Sequence, residues 1–145
     1  LSGGGVRFST ADTELIEHLQ ALLPEGYVFK HIVNYDYRIV HATKRRLSNP
    51  VLNALRDFGL IGARSHEKFI PEPYLYTDVA SRWSLLQGLM DTDGYVMQRK
   101  EWPDCCRMEF TTTSYKLHKQ FVWLVQSLGG VATVNIKRTF RHKTA

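Results

Sequence analysis

Leu85–Gly94 reads LLQGLMDTDG. Apolar residues at helical spacing run directly into Asp91 and Asp93, and a glycine follows. The C-terminal end of a helix carries the negative pole of its dipole. Each carboxylate placed there is disfavoured by a few tenths to about 1 kcal/mol. The stretch therefore asks for a cation, and the rest of the chain has to say what that cation would do.

The 145 residues suit one compact domain or two small fused halves. A hydrophobic fraction of 43% with 23% charged residues is ordinary for a globular protein, and no apolar run approaches the ~20 residues of a membrane span. The formal net charge of +5 favours a polyanionic partner. Cys105 and Cys106 are adjacent and the only cysteines, so they neither pair readily nor build a zinc site. They read as reduced thiols near a hairpin, and a cytoplasmic location is expected. The histidines lack metal-ligand spacing, and Gly3-Gly4-Gly5 lacks the lysine of a phosphate-binding loop.

Outward from the motif the chain repeats itself. VRFSTADTELIEHLQALL (Val6–Leu23) aligns with MEFTTTSYKLHKQFVWLV (Met108–Val125). Phe8 then meets Phe110, Thr10 meets Thr112, Leu15 meets Leu117, Leu19 meets Phe121 and Leu22 meets Leu124. Each copy predicts a short strand, a Thr/Asp/Ser cap and an amphipathic helix. YVFKHIVNYDYRIVHAT after the first copy predicts two strands with a turn at Asn34-Tyr35-Asp36. VATVNIKRTFRHK after the second has the same strand character. The repeating unit is a helix, two strands, a helix and a hairpin, which makes a pseudo-twofold protein. At the same offset, the counterpart of Asp93 would precede Leu1. The chain is therefore expected to be part of a longer reading frame.

Between the copies, Asn49 and Pro50 start a helix and Gly59 and Gly62 release it. HEKFIPEPYL is an extended connector into a helix predicted from Asp78 to Met90. LLQGLMDTDG resembles the LAGLIDADG motif of homing endonucleases. DFGLIGARSHEKFIPEPYL resembles the block that precedes the second such motif in intein endonuclease domains, and FTTTSYKLHKQFVWLVQSLGG the block that follows it.

The resemblance implies an α+β fold of pseudo-twofold αββαββα repeats with curved antiparallel DNA-binding sheets. Residues 1–77 would be the remainder of the first half plus the connector, and residues 78–145 an incomplete second half. It implies a site-specific endonuclease that homes an intein or other mobile element by metal-dependent hydrolysis of double-stranded DNA. Asp93 would bind Mg2+ or Mn2+ beside a twin from the other half. A hard cation takes oxygen ligands, commonly one or two carboxylates with phosphate and water. Lys68 would polarise the attacking water or neutralise phosphate charge. Gly88 would let two motif helices approach closely, within a pseudo-dimeric monomer or between two copies of a truncated chain.

DNA contacts are expected on the strands, because a two-stranded ribbon fits the major groove. The candidates are Arg7, Lys30, His31, Tyr35, Tyr37 and Arg38 in the first half, with Lys44, Arg45 and Arg46 in a basic turn. In the second half they are Gln98, Arg99, Lys100, Arg107, Lys137, Arg138 and Arg141. The competing reading is a DNA- or RNA-binding module that does not cleave: a decayed nuclease, a maturase or a regulator.

Overall fold

The computed structural model describes residues 5–44, 47–99 and 102–137. The chain divides into two compact units, Leu1–Ala63 and Arg64–Ala145.

In the first unit, β1 (Arg7–Ser9) leads into α1 (Thr13–Ala21), followed by β2 (Tyr27–Val33), β3 (Asp36–His41) and α2 (Pro50–Asp57). The three strands form an antiparallel sheet in the order β1-β3-β2. Asn34 takes a positive φ of 51° in the turn between β2 and β3, a conformation asparagine tolerates well. Asn49 binds at two places. Its Oδ1 accepts from the N–H groups of Val51 and Leu52 to cap α2, and its Nδ2 donates to the Ile39 carbonyl at 3.0 Å. Ile39 is buried and lies on the sheet face that also carries Phe8 and Phe29, whose rings are 6.2 Å apart. The outer edge of β2 is closed by a side chain: Gln20 of α1 donates to the Tyr27 carbonyl and accepts from the Phe29 N–H.

In the second unit, a 3-10 turn (Ser65–Glu67) and α3 (Glu72–Leu75) precede α4 (Val79–Asp93), β4 (Gly94–Arg99), β5 (Trp102–Phe110) and α5 (Tyr115–Ser127). β4 and β5 form an antiparallel hairpin in which Gly94 faces Phe110. The core consists of Ile70, Leu75, Leu117 and Leu124, joined by Leu85, Leu86 and Leu89 of α4 and by Phe110 and Leu128. Phe110 stacks on Phe121, with centroids 4.1 Å apart and planes 8° from parallel.

The repeat is visible atom by atom. Asp12 caps α1 by accepting from Glu14 and Leu15, and its own N–H donates to the Thr10 hydroxyl at 3.1 Å. The equivalent Ser114 caps α5 through Leu117, and its N–H donates to the Thr112 hydroxyl, also at 3.1 Å. Both helices begin one residue later, in register with the sequence repeat.

Three details differ from the expectation. The connector 64–77, assigned from sequence to the first half, lies in the second unit, because Ile70 and Leu75 are core residues there. The predicted helix Asp78–Met90 runs three residues further and takes in both acids. Residues 130–137 form no strand. At the repeat offset, the equivalent of β3 would fall at 138–143, outside the described residues.

α4 carries a pH-sensitive cap. The Ser81 hydroxyl and backbone N–H donate to the Asp78 carboxylate at 2.6 and 2.9 Å and hold its pKa at about 2 rather than 3.8. The folded state thus favours the ionised form. The cap's contribution is complete above pH 3.8 and is lost as the pH falls from there towards 2. Acid titration of helicity should show this loss in the wild type and not in Asp78→Asn, since asparagine caps without titrating.

Candidate functional site

Asp93 is the last residue of α4, and the chain passes through Gly94 directly into β4. The Gly94 N–H donates to the Met90 carbonyl, so helix and strand are joined without a loop. A Cβ at position 94 would collide with the Met90 carbonyl oxygen and lie 2.8 Å from the Met90 Cα. The φ of −88° suits any residue, so space alone demands glycine here. Gly94→Ala is expected to destabilise the second unit by about 1–3 kcal/mol through this overpacking, measurable by urea denaturation.

Asp91 and Asp93 are both exposed, and the last turn of α4 holds no basic residue. Among the described residues neither carboxylate makes a hydrogen bond or an ion pair. Thr92, between them, donates to the carbonyls of Gly88 and Leu89. No described side chain therefore offsets the two charges. Among the described residues no group of three His, Cys, Asp or Glu side chains gathers into a metal site. A single exposed carboxylate still fits a Mg2+ or Mn2+ site completed by phosphate, water and one further acid.

One face of α4, through Leu85, Leu86 and Leu89, packs into the core. The other is open: Ser84, Gly88 and Asp91 recur at helical spacing and are exposed, and a Cβ on Gly88 would meet nothing within 4 Å.

Lys68 follows the 3-10 turn with its side chain exposed, but its backbone is anchored. The Ser114 hydroxyl donates to the Lys68 carbonyl at 2.6 Å. Ser114 lies four residues after Phe110, the strand partner of Gly94. Asp93 and Lys68 thus belong to one unit and connect through the β4–β5 pairing and the α5 cap. The sequence pattern did not reveal the anchor, because its partners are 46 residues apart.

The first-unit candidates separate by sheet face. Directly opposed residues point to the same side, and Arg7, Arg38 and Lys30 occupy one cross-strand row. With strands about 4.8 Å apart, the row spans about 10 Å. Arg7 and Lys30 are exposed, whereas Arg38 is half-buried and its Nε is buried without a partner among the described residues. His31 and Tyr37 lie in the next row with Phe8, on the side of buried Ile39. Their rings meet edge-on at 5.3 Å, and His31 Nε2 donates to the Asn34 carbonyl at 2.7 Å. Tyr35 is exposed at the turn, and Lys44 is exposed in the loop after β3, its N–H donating to His41 Nδ1.

In the second unit, Arg107 is exposed on β5 opposite Met97 and pairs with Glu109 at 3.0 Å. Lys137 is exposed. Gln98 and Arg99 lie in β4, with their side chains outside the described part. Arg45, Arg46, Lys100, Arg138 and Arg141 lie outside the described residues. Cys106 is a free, exposed thiol on β5.

A motif helix ending in an acid with no partner among the described residues, running into a hairpin and then a capped helix, defines an α+β class. Residues 82–145 match the LAGLIDADG-like domain. That segment resembles the domain, and the mixed helices and small antiparallel sheets of the chain are consistent with the α+β fold the motif implied. It is 34% identical over 88 residues to Protein RecA of Mycobacterium tuberculosis (strain ATCC 25618 / H37Rv), covering 59% of this chain and 11% of that protein. It is 31% identical over 81 residues to Replicative DNA helicase DnaB of Rhodothermus marinus, covering 56% and 9%. It is 30% identical over 92 residues to Homothallic switching endonuclease of Saccharomyces cerevisiae, covering 63% and 16%. The chain thus spans at most 16% of the length of these three relatives. No solved structure matches it significantly. Among the described residues no helix is long and apolar enough to cross a membrane.

Proposed function

We propose that the chain is the nuclease part of a mobile element of the intein type, which cuts double-stranded DNA at a site completed by a second motif helix. The observation that carries this reading is Asp93: an exposed acid at the end of a LAGLIDADG-like helix, with no basic partner among the described residues. The relatives support it. RecA and DnaB bear different names, yet each resembles this chain over about a tenth of its length, and a named endonuclease resembles it as well. A shared segment of that kind is what an inserted element leaves behind.

Asp93, together with an acid from a second motif helix, would hold Mg2+ or Mn2+ against the scissile phosphate. When bound, the metal supplies an acidified water and charge neutralisation. Lys68 would add positive charge as the phosphodiester becomes more negative. The open Ser84–Gly88 face of α4 would receive the second helix, supplied by a longer chain or by another copy.

Arg7, Arg38 and Lys30 would contact phosphate and fix register on the duplex. If so, Lys30→Ala should weaken DNA binding uniformly across sequences and reduce the slope of log K against log salt by about 0.9, read by fluorescence anisotropy across a salt series.

The direct test incubates the chain with plasmid DNA carrying the uninserted host allele, with Mg2+ or with chelator. Linear product only in Mg2+ supports the nuclease. Tight, salt-dependent binding without nicking in either condition would leave the non-cleaving binding module as the better reading.

A further inference from the structure

We propose that Ser114 and Gln120 are positioning residues that fix the backbone of Lys68, so that its ammonium meets the phosphodiester of bound DNA. The proposal rests on the nuclease reading for its catalytic consequence and on geometry for the anchor itself.

α5 turns one stripe towards the connector: Leu117, Gln120 and Leu124, with the Ser114 cap at its start. Leu117 and Leu124 are core residues. Gln120 stands between them and makes two bonds to one residue. Its Nε2 donates to the Ile70 carbonyl and its Oε1 accepts from the Ile70 N–H, both at 2.8 Å. This is the pairing a neighbouring β-strand would give, supplied by a side-chain amide. Two residues earlier, the hydroxyl of Ser114, only 1% exposed, donates to the Lys68 carbonyl. Between these anchors, Lys116 Nζ lies 4.3 Å from the centre of the Phe69 ring.

The three residues 68–70 are thus held at both ends, and a slip of one residue along α5 would break every one of these bonds. A lysine serving only solubility would need none of them. Lys68 itself remains exposed on this fixed base. A group that must stand close to a reacting phosphate needs this combination, because displacement by about 1 Å can lower a rate about 10²-fold.

The test uses the full chain as wild type and as Gln120→Leu, Gln120→Glu, Ser114→Ala, Ser114→Thr and Lys68→Ala. Lys68 is footprinted with limiting acetic anhydride, read by mass spectrometry, with and without plasmid DNA, and Mg2+-dependent nicking is measured in parallel. DNA should shield Lys68 in the wild type. Gln120→Leu and Ser114→Ala should lose that shielding with plasmid affinity within about twofold, and Ser114→Thr should retain it. Nicking should fall about 10²-fold in Gln120→Leu, with no further fall when it is combined with Lys68→Ala. If Gln120→Leu does not fold, Gln120→Glu decides, since a carboxylate can accept from the Ile70 N–H but cannot donate to the Ile70 carbonyl. Full shielding in folded Gln120→Leu (or Gln120→Glu in its place) and Ser114→Ala, or no shielding of Lys68 in the wild type, would overturn the proposal. A wild type that never nicks but shows the expected shielding pattern would remove the nuclease reading and leave the anchor standing.

Discussion

Asp93→Asn is expected to reduce metal-dependent strand cleavage about a thousandfold while leaving DNA affinity and thermal stability nearly unchanged. The carboxylate is exposed and makes no described hydrogen bond or ion pair, so its loss breaks no fold contact. Removing a negative charge from a helix C-terminus should, if anything, stabilise α4 by a few tenths of a kcal/mol. Losing one of the few protein oxygens on a catalytic divalent ion removes several kcal/mol of charge stabilisation, and each 1.36 kcal/mol is a factor of ten in rate. Single-turnover nicking with Mg2+ and with Mn2+ reads the rate, and anisotropy without metal reads the affinity. Asp91→Asn, two residues away and also exposed, is the control. An equal loss in both variants would mean that general acidity at the helix end matters rather than the carboxylate at 93.

Leu124→Ala should be the most damaging single change to stability. Leu124 is fully buried and shares its core with Ile70, Leu75 and Leu117. Truncating such a leucine costs about 2–5 kcal/mol, from lost transfer energy and the residual cavity. A small domain has about 5–15 kcal/mol in total, so a large share of the second unit's stability would go. Urea unfolding followed by tryptophan fluorescence should report it, because Trp83 and Trp123 both belong to that unit. Probes in the first unit should shift little. An equal loss in both units would show that they unfold as one cooperative body.

The parts of the fold that depend on neighbours in sequence were legible. Thr10-Ala11-Asp12 and Thr112-Thr113-Ser114 act through local side chain–backbone bonds, and the structure reproduces them in register. The turn at Asn34-Tyr35 follows from asparagine's tolerance of positive φ. The connector was misplaced because its docking depends on Gln120 and Ser114, 46 to 50 residues away, which no periodicity encodes. In the first unit Arg7, Lys30, His31, Tyr37 and Arg38 were legible as strand residues but not as faces, whereas Lys137 lies in a segment that forms no strand. Alternation separates Lys30 from His31, yet only the β1–β3–β2 register aligns Arg7, Arg38 and Lys30 in one row and sets His31 and Tyr37 with Phe8.

The loop-free passage from α4 to β4 has a consequence for retargeting, should the proposed nuclease activity hold. With the Met90 carbonyl closing over Gly94, the hairpin starts directly from the helix end that carries the acid. Under the proposed function, substitutions on the described parts of β4 and β5 away from Gly94 would alter DNA contacts while leaving Asp93 in place, whereas an insertion between Asp93 and Gly94 would shift the acid against the hairpin.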